Sequence, residues 1–529
     1  MATPDTDLAA LCESRWPGQV SAALDDGGRS CRIAVPAVAL QPVCQWLMAE
    51  LDFAFATLII DEEPEWLLVY VFYKNSGFPW VHVELRLDRG TQVVPSISGL
   101  HNGPSADWHE REGEDLFGLS FEGHPRLGDF VLHEDWPEGV NPMRRAFDAT
   151  RPLDTREHEP HWEPATVVAA PGAFAMPIGP VFSDFAEAAH FLLETVGEDV
   201  IRTIPRFFYK YRGVEKIAEG QPVDRVLLLA ERFSGTAAFA HGLAFCEAVE
   251  AICGVEVPPR AGALRTVLAE LERLRHHAAA ITGICHSTAL AVATSQAALI
   301  EEELLRLSCE AARHRYLFGM VAPGGLGADL SARQCRHLAA AIPELARRLD
   351  DLYRMLRYSS SFLDRLEEVG IVTLNQAIAY GLVGPIARAS GRPGDIRKAF
   401  PYAAYDSVDF AVPTEPQGDG YARLRVLFGE AEQSASIIGQ ILAALPEGEV
   451  CSPPTQWRQG SALSAVEAPS GAAFHWLRLD ANGAVARYRI TPPSFANWHG
   501  FHLAAENFAF QDFPIILASF ALSNAECDR

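Results

Sequence analysis

The spacing of hydrophobic residues indicates strands in the first part of the chain. Trp66–Tyr73 is a continuous apolar run, and Trp80–Leu87 alternates apolar and polar residues with period two, as strands do. Between them, Asn75–Pro79 contains the glycine and proline typical of a turn. The first part of the chain is therefore predicted to be mixed α and β.

Further along, the hydrophobic period changes to that of helices. After Pro258-Pro259, apolar residues recur at spacings of three and four with charged residues off the stripe, which predicts an amphipathic helix. The stripe consists of Leu264, Val267, Leu268, Leu271 and Leu274. Ser287–Arg315 and Ala332–Leu366 continue the pattern, the second interrupted at Pro343. Long helices of this kind are expected to pack as a bundle.

A hairpin follows the helices and completes the predicted fold. Phe474–Ile490 is predicted to form two strands around Ala481-Asn482-Gly483, a common hairpin turn. The fold class is α+β, with a mixed α+β amino-terminal domain and then a mainly α-helical bundle domain with a small β-sheet. Residues 151–176, rich in Pro, His and Glu, are predicted to link a domain at 1–150 to one at 177–529.

The charge balance narrows the range of partners. The 529 residues carry 44 Lys and Arg against 68 Asp and Glu, a formal net charge of -24, which repels nucleic acid and anionic lipid headgroups. With 49% hydrophobic and 21% charged residues, the composition is that of a globular protein with a large core. Nucleic-acid binding is therefore disfavoured.

Targeting segments, metal-cluster motifs and membrane spans are not indicated. The first twenty residues lack the pattern of a signal or transit peptide, so we expect a cytoplasmic location. The ten cysteines form no CxxC pair, which favours reduced, buried thiols over an iron–sulfur cluster held by this chain. Ala278–Ile300 contains no charged residue, but its Ala, Ser and Thr content favours a buried helix over a membrane span.

The most informative stretch, ERFSGTAAFAHGLAFCEAVE, has the frame of a metal-binding motif without its ligands. Arg232, Gly235 and His241 follow the spacing R-x-C-G-x-C-x-x-x-H. Ser234 and Ala237 occupy the two cysteine positions. Thiolates hold soft metals such as nickel, and neither a hydroxyl nor a methyl group can replace them. The spacing of the motif is therefore kept, but its two metal-binding side chains are replaced.

Two parts of the chain resemble known families. Within Ala106–Pro125, an acidic, helix-like run that ends at Gly118, the pattern W-x-E-R-E-x-x-D-L-F-G-x-x-F-x-G-H-P resembles the signature of the 30 kDa-type subunit of respiratory complex I. Gly128-Asp129 stands where that family commonly has basic residues, and Leu132–Phe147 again looks like the family.

From Pro177 to Arg529 the chain resembles the 49 kDa-type subunit of complex I and its relatives, the large subunits of group 4 nickel–iron hydrogenases of the formate hydrogenlyase kind. The segments that carry this resemblance include VEVPPRAGALRTVLAELERL, RHRYLFGMVAPGGLGAD, GLVGPIARASG, DIRKAFPYAAYD and RYRITPPSFANW. The two matches span nearly the whole chain, in the fused order typical of hydrogenlyase-type subunits.

The hydrogenase resemblance implies a nickel site, but none of its four thiolates is present. In that family two of the thiolates come from the R-x-C-G-x-C motif, and the other two come from a D-P-C-x-x-C motif near the end of the chain. These positions are occupied by Ser234, Ala237, Ser523 and Glu526. Complex I-type chains end in E-x-D-R, as this one does, so no nickel maturation step is implied. A metal site rebuilt from other groups would use His241, Cys246, Cys253 and Cys527; the favoured interpretation is that these residues are packed in the core.

The quinone contacts implied by the complex I resemblance are also absent. The family's G-P-x-H-P-x-x-H loop corresponds to Gly179–Ser183, its second histidine falls at Ala186, and the quinone-binding tyrosine falls at Gly235. A quinone in the usual pose would lack its usual hydrogen bonds.

Several polar residues are predicted to surround the vacated cavity. They are Glu231, Arg232, His241, Asp406, Arg487 and Glu526. Buried carboxylates beside arginine and histidine can relay protons, because desolvation and pairing shift their pKa values in opposite directions. The alternative is a structural ion-pair network.

The resemblance implies a peripheral-arm subunit of a complex I or group 4 hydrogenase-related oxidoreductase, on the cytoplasmic face of the inner membrane and without a nickel–iron centre. It would bind no cofactor itself, dock on a 20 kDa-like iron–sulfur subunit that holds a 4Fe-4S cluster, and couple electron transfer to membrane subunits that translocate ions. Formate dehydrogenase or another electron donor is a further candidate partner. Large subunits of energy-converting hydrogenase-related complexes likewise lack nickel cysteines.

Three alternatives stay open. The vacated cavity could reduce a quinone or another small redox molecule, the chain could be a non-catalytic assembly subunit, or nickel could be held by other ligands. Direct hydrogenase activity is not expected, because the nickel thiolates are absent.

Overall fold

The computed structural model describes residues 8–25, 28–156, 168, 170–181 and 187–529. The chain forms two compact units, Met1–Thr166 with Ile378–Leu382 and Val167–Ala377 with Val383–Arg529. The division falls within the predicted linker 151–176, of which residues 157–167 and 169 lie outside the described residues. A strand begins inside that range, at Ala173.

The first unit is built around a five-stranded mixed sheet. Its helices and strands are α1 (Leu8–Arg15), β1 (Ser21–Leu24), β2 (Ser30–Val35), α2 (Ala37–Ala49), β3 (Ala54–Asp61), β4 (Trp66–Lys74), β5 (Gly77–Leu87), β6 (Val93–Pro95), α3 (Asp107–Phe117) and β7 (Ser120–Glu122). The strand order is β1-β2-β5-β4-β3, with β2 and β5 parallel and the other neighbours antiparallel. The two predicted strands are confirmed as β4 and β5.

Helix α3 carries the acidic stretch of the amino-terminal signature. It ends at Gly118, whose φ of 75° is left-handed, and this confirms the predicted end of the helix. On its buried face, Glu110 accepts hydrogen bonds from Ser96 Oγ at 2.5 Å and from Ile97 N at 2.8 Å. Burial raises the pKa of Glu110 to about 7, against the lowering effect of these two bonds. The signature carboxylate therefore fixes the segment that follows β6.

The second unit combines a helical bundle with small sheets. Beyond residue 167 the chain forms β8 (Ala173–Ile178), β9 (His190–Val196), β10 (Asp199–Arg206), α4 (Val214–Ala218), α5 (Val223–Arg232), α6 (Ala238–Cys253), α7 (Pro259–Ser287), α8 (Ala291–Ala312), β11 (Val321–Ala322), β12 (Gly325–Leu326), α9 (Ala332–Leu356), α10 (Ser360–Leu363), α11 (Leu374–Ala379), α12 (Gly384–Ala389), α13 (Ile396–Ala399), α14 (Gly420–Ala443), β13 (Gly460–Ala468), β14 (Gly471–Leu479), β15 (Val485–Thr491), α15 (Pro493–His499), α16 (Phe501–Ala504), β16 (Phe508–Ala509), α17 (Phe513–Phe520) and α18 (Asn524–Cys527).

Helices α7, α8, α9 and α14 pack on one another and confirm the predicted bundle. Helix α7 begins directly after Pro258, as predicted, and its apolar stripe is buried. The sheets have the strand orders β16-β10-β9-β8, β13-β14-β15 and β11-β12. The predicted hairpin is confirmed as β14 and β15. None of the helices among the described residues is long and apolar enough to cross a membrane.

The predicted interruption at Pro343 is wrong, because α9 runs unbroken from Ala332 to Leu356. Pro343 and Ala339 are both exposed, so the Ala339 carbonyl, which loses its helical N–H partner, can bond water instead. Leu338 and Ile342 are buried on the other face of the helix. Packing on that face holds the helix through the proline.

A close backbone contact at Gly384 gives a test of the packing at the start of β14. Gly384 has a φ of 66°, and a Cβ atom there would lie 2.2 Å from the carbonyl oxygen of Ser470. We expect Gly384→Ala to lower the free energy of unfolding by at least about 1–3 kcal/mol, the cost of one residue with a strained backbone. The loss is larger if the Ser470 backbone must also move to make room for the new Cβ atom. Thermal unfolding of the full chain measures this. Gly439→Ala, on an exposed face of α14 with open space around it, is the control and should not destabilise.

Candidate functional site

Three segments of the second unit meet where the nickel-site positions lie: the start of α6, the β14–β15 hairpin and α18. The start of α6 is held by Glu272 of α7, whose carboxylate accepts hydrogen bonds from Phe239 N at 2.8 Å and Ala240 N at 3.0 Å. These N–H groups lack partners inside the helix, so the carboxylate satisfies them. His241 is thereby placed one turn into α6, facing the hairpin.

A continuous row of hydrogen bonds crosses this junction. His241 Nε2 lies 3.4 Å from Glu526 Oε1, and His241 Nδ1 lies 3.0 Å from His475 Nε2. His475 Nδ1 in turn lies 2.7 Å from the hydroxyl of Tyr488. All four side chains have no exposed surface. We call Tyr488, His475, His241 and Glu526 the relay row.

The hairpin geometry explains why His475 and Tyr488 meet. Side chains alternate between the two faces of a strand, and His475 pairs with Ile490 while Leu477 pairs with Tyr488. His475 and Tyr488 therefore share one face, diagonally across two strands. That face packs against α6, which carries His241.

Glu526 is held by several donors besides His241. Its Oε2 accepts a hydrogen bond from Ser494 N, at the start of α15, at 3.1 Å. Its Oε1 lies 3.3 Å from Ser234 Oγ and 3.4 Å from Thr236 Oγ1. Donors therefore surround the carboxylate, and this favours its ionised form.

The pKa shifts of the relay row follow from burial and neighbouring charge. Burial raises the pKa of Glu526, but the hydrogen bonds with His241 and Ser494 outweigh it and leave that pKa below its usual range. Burial, then the nearby His241 and Arg529, lower the pKa of His475 well below its usual value. Burial, then Glu215, raise the pKa of Tyr488. The row therefore holds a carboxylate, a neutral His475 and a protonated tyrosine.

These protonation states give the row one direction. An ionised Glu526 only accepts, so His241 Nε2 donates; in the neutral form of His241, its Nδ1 atom accepts from His475 Nε2. His475 Nδ1 then accepts from the Tyr488 hydroxyl. This assignment follows from the hydrogen-bond pattern. Each hydrogen bond of the row thus points from Tyr488 towards Glu526.

The residues at the nickel-ligand positions do not fit nickel. Ser234 and Ser523 offer hydroxyls, Ala237 a methyl group, and Glu526 a carboxylate already bonded to His241 and Ser494. Soft thiolates are missing from all four positions. Ser523 Oγ instead donates to Glu187 at 2.9 Å, and the same carboxylate accepts from Ala525 N at 3.0 Å. Among the described residues no group of three or more His, Cys, Asp or Glu is arranged to hold a metal ion.

The cysteines considered for a rebuilt site lie in the core. Cys246, Cys253 and Cys527 are buried, and the first two belong to the main hydrophobic cluster. Burial raises the pKa of the Cys246 and Cys527 thiols well above their usual value. These two side chains therefore stay protonated, which disfavours metal binding.

Of the six predicted site residues, the structure joins His241 and Glu526 directly, Glu231 packs beside Gly242 next to His241, and the other three contact other residues. Glu231 pairs with Arg232 at 3.0 Å and accepts from Gly319 N at 2.9 Å. Arg232 is partly exposed and lies over the Phe318 ring.

Two of these residues lie on other surfaces. Arg487 pairs with Glu219, because it precedes Tyr488 on β15 and so points to the opposite face of the hairpin. Asp406 is exposed and lines a separate cavity. Of the predicted quinone loop, residues 182–186 lie outside the described residues.

Sequence reasoning missed His475 and Tyr488. Both lie within the correctly predicted hairpin, and the period-two alternation of its strands could have placed them on one face. What the alternation does not reveal is which helix covers that face. Glu187, which binds Ser523, was missed because no local pattern marks it.

Comparison with known families covers both units. Residues 33–152 match the family described as the respiratory-chain NADH dehydrogenase 30 Kd subunit. Residues 293–458 and 452–529 match the respiratory-chain NADH dehydrogenase 49 Kd subunit. The second match includes His475, Tyr488 and Glu526.

Individual relatives extend over most of the chain. Formate hydrogenlyase subunit 5 of Escherichia coli (strain K12) is 30% identical over 457 residues, 85% of this chain and 79% of its own length. Hydrogenase-4 component G of the same strain is 28% identical over 97% of this chain and 90% of its own. The fused C/D subunit of the NADH-quinone oxidoreductase of Bdellovibrio bacteriovorus is 28% identical over 87% of this chain and 88% of its own.

Fold and relatives together define the class, which is that of large subunits of oxidoreductase complexes. The chain belongs to the family of fused 30 kDa- and 49 kDa-type subunits that includes formate hydrogenlyase subunit 5 and the C/D subunits of NADH-quinone oxidoreductases.

Proposed function

We propose that this chain is the peripheral-arm subunit of a membrane-bound oxidoreductase related to complex I and the group 4 hydrogenases, and that it moves protons rather than splitting dihydrogen. The observation that carries the proposal is the relay row, in which Glu526 stands at a position where the hydrogenase motif has a thiolate. Glu526, at one ligand position, bonds His241 of the first motif at 3.4 Å.

The chemistry of the row suits proton coupling. Reduction of a cluster in a neighbouring subunit adds negative charge, which favours proton uptake by nearby groups. Glu526 is held as a carboxylate by His241 and the Ser494 N–H, so it can take up a proton when this added negative charge raises its pKa. The buried row carries no exposed polar atom through which protons would exchange freely.

The proposed partners follow from the family. An iron–sulfur subunit of the 20 kDa type would hold the 4Fe-4S cluster, and membrane subunits would translocate ions. The relatives are subunits of an NADH-quinone oxidoreductase, a formate hydrogenlyase and hydrogenase-4, which supports a place on the cytoplasmic face of the inner membrane. The missing thiolates favour the energy-converting hydrogenase-related kind, in which a formate dehydrogenase or another donor supplies electrons.

The test uses the assembled complex with Glu526→Gln and His475→Phe. Both variants interrupt the row, so the rate of proton-coupled electron transfer should fall by roughly 10²–10⁴, the usual contribution of positioned acid–base groups. Electron paramagnetic resonance of the partner's cluster during turnover measures the rate, and size-exclusion chromatography confirms assembly. His337→Phe, an exposed histidine paired with Glu310, is the matched control and should leave the rate unchanged.

The outcomes separate the alternatives. If both variants assemble and turn over normally, the row is structural and the chain is an assembly subunit. If the cluster is reoxidised by a quinone or another small acceptor only when the row is intact, the vacated region is itself a reductase site.

A further inference from the structure

A cavity in the second unit shares no lining residue with the relay row. Its volume is about 460 Å³, within the roughly 300–1,000 Å³ usual for small-molecule sites. Its walls come from the second half of α6, the start of α7, residues 403–408 and the end of α14. Glu247 and Asp406 both line it. The cavity is therefore large enough for a small organic molecule.

Glu247 lies in the wall of this cavity without a balancing charge. The side chain is partly buried, and its Oε2 accepts a hydrogen bond from Ser464 Oγ at 3.4 Å. The guanidinium of Arg265, which also lines the cavity, bonds Glu250 instead, at 3.0 Å from Nη1 and 2.5 Å from Nη2. Burial raises the pKa of Glu247 to about 8, more than Arg265 lowers it. A positive group beside Glu247 would therefore be stabilised by its carboxylate.

The positive features of the cavity do not favour an anion. The charge of Arg265 is balanced by Glu250, and its Nε and Nη2 atoms also donate to the Gly325 carbonyl oxygen at 3.1 and 2.9 Å. Helix α7 begins with Pro259 directly after Pro258. Neither proline has an N–H group to offer a ligand. The start of this helix therefore presents proline rings rather than donors.

The other features of the cavity favour a cation with a hydrocarbon body. Asp406 is exposed, and it places a second carboxyl group on the wall towards solvent. The carboxyl end of α14, which carries partial negative charge, borders the same space. The walls also contain apolar side chains, among them Val257, Pro259, Val408 and Ile441.

We propose that this cavity binds a small aliphatic amine as its ammonium cation, with the charged group at the Glu247 carboxylate and the hydrocarbon chain along the apolar walls. The site is separate from the relay row and does not depend on the proposed function. Because the ammonium group pairs with an ionised Glu247, a protonated Glu247 releases its proton to water when the amine binds. The ammonium group then balances the carboxylate in place of that proton.

Several charged and titratable groups face Glu247 from the elements around it. They are Cys246 and Glu250 of α6, Arg265 of α7, and Tyr402 and Asp406 of the segment between α13 and α14. Burial raises the pKa of Tyr402 and of Cys246, so both stay protonated near neutral pH. Burial lowers the pKa of Arg265, but its bonds with Glu250 outweigh this and raise it. A change in ligand binding near pH 8 is therefore assigned to Glu247.

The test is isothermal titration calorimetry of the purified full chain with n-butylammonium, neutral n-butanol and anionic butyrate. Only n-butylammonium can pair with the carboxylate, so the other two should bind at least about 10-fold more weakly. The dissociation constant for n-butylammonium should fall by about 10-fold from pH 7 to pH 9, as the ionised share of Glu247 rises. Buffers of different ionisation enthalpy should reveal the release of about one proton per ligand at pH 7.

Variants locate the site. Glu247→Gln should raise the dissociation constant at pH 9 by about 10- to 100-fold, the value of a hydrogen-bonded charge, and should remove the pH dependence and the proton release. Asp406→Asn should raise it by no more than about fivefold, because an exposed charge contributes little. Glu344→Gln, which removes an exposed carboxylate on α9, is the matched control and should bind as the wild type does.

Three results would overturn the proposal. The first is no measurable binding of n-butylammonium at pH 9, and the second is equal binding of n-butylammonium and n-butanol. The third is a folded Glu247→Gln variant that keeps the wild-type affinity and pH dependence. If Glu247→Gln does not fold, the proton release of the wild-type chain at pH 7 decides, and binding without proton release overturns the site.

Discussion

Replacing Arg388 by leucine is expected to unfold much of the second unit. The guanidinium is completely buried and donates from Nε to Glu430 at 2.6 Å and from Nη1 to Glu467 at 2.9 Å. Without it these carboxylates stay buried and lose their nearest positive charge. Removing one partner of a buried ion pair costs about 3–5 kcal/mol.

Arg388 is part of a larger buried ion cluster, which raises the expected effect. Arg397 bonds Asp395 at 2.6 Å and Glu270 at 2.9 Å, and Arg273 bonds Glu270 at 3.3 Å. Burial raises the pKa of Glu270, but Arg397 and Arg273 outweigh it and bring that pKa to about 2. Glu430 also accepts from His277 at 2.9 Å. The positive and negative side chains of the cluster thus compensate one another, so removing any one of them leaves an unbalanced buried charge.

Denaturant titration of the full chain, followed by far-UV circular dichroism, measures the loss. Arg347→Leu is the matched control, since Arg347 also bonds two carboxylates, Glu344 at 2.7 Å and Asp351 at 2.6 Å, but on an exposed helix surface. Its replacement should cause no measurable change. Equal losses for the two variants would contradict the prediction.

Restoring four cysteines is expected to create a nickel site. The variant combines Ser234→Cys, Ala237→Cys, Ser523→Cys and Glu526→Cys. Ser234 Oγ lies 3.3 Å from Glu526 Oε1, so the two ligand-bearing segments already touch. Four thiolates bind a divalent metal with an apparent affinity of roughly 10 kcal/mol or more at neutral pH in small zinc sites, so nickel should survive washing with a weak chelator.

Metal analysis after incubation with Ni²⁺ should give about one nickel per chain for this variant, the count for four thiolates that converge on one ion. Glu526→Cys alone, which supplies one thiolate, is the control and should retain no nickel. Circular dichroism confirms that both variants are folded. A folded four-cysteine chain without nickel would show that the positions do not converge.

The sequence predicts this fold well where one periodic pattern decides it. Strands β4 and β5, helix α7 and the β14–β15 hairpin follow from hydrophobic spacing. The pattern fails at Pro343, because the rule against proline within helices assumes that the freed carbonyl is buried, whereas here Ala339 is exposed.

The site is less predictable, because it depends on contacts between distant segments. The motif frame identifies His241, and alignment of the last residues identifies Glu526. Asp406 and Arg487 come from the same reasoning but lie elsewhere: Arg487 points to the face of β15 opposite Tyr488, and Asp406 lines a separate cavity. His475 becomes visible only when β14 is packed against α6.

The single direction of the hydrogen bonds from Tyr488 to Glu526 has a kinetic consequence. After one proton has passed, both imidazoles carry their hydrogen on the other nitrogen. A second proton cannot pass until both rings have returned to their starting tautomers. The row would then pass one proton for each return of the two rings to their starting tautomers. Its throughput would be limited by ring reorientation within a tightly packed core.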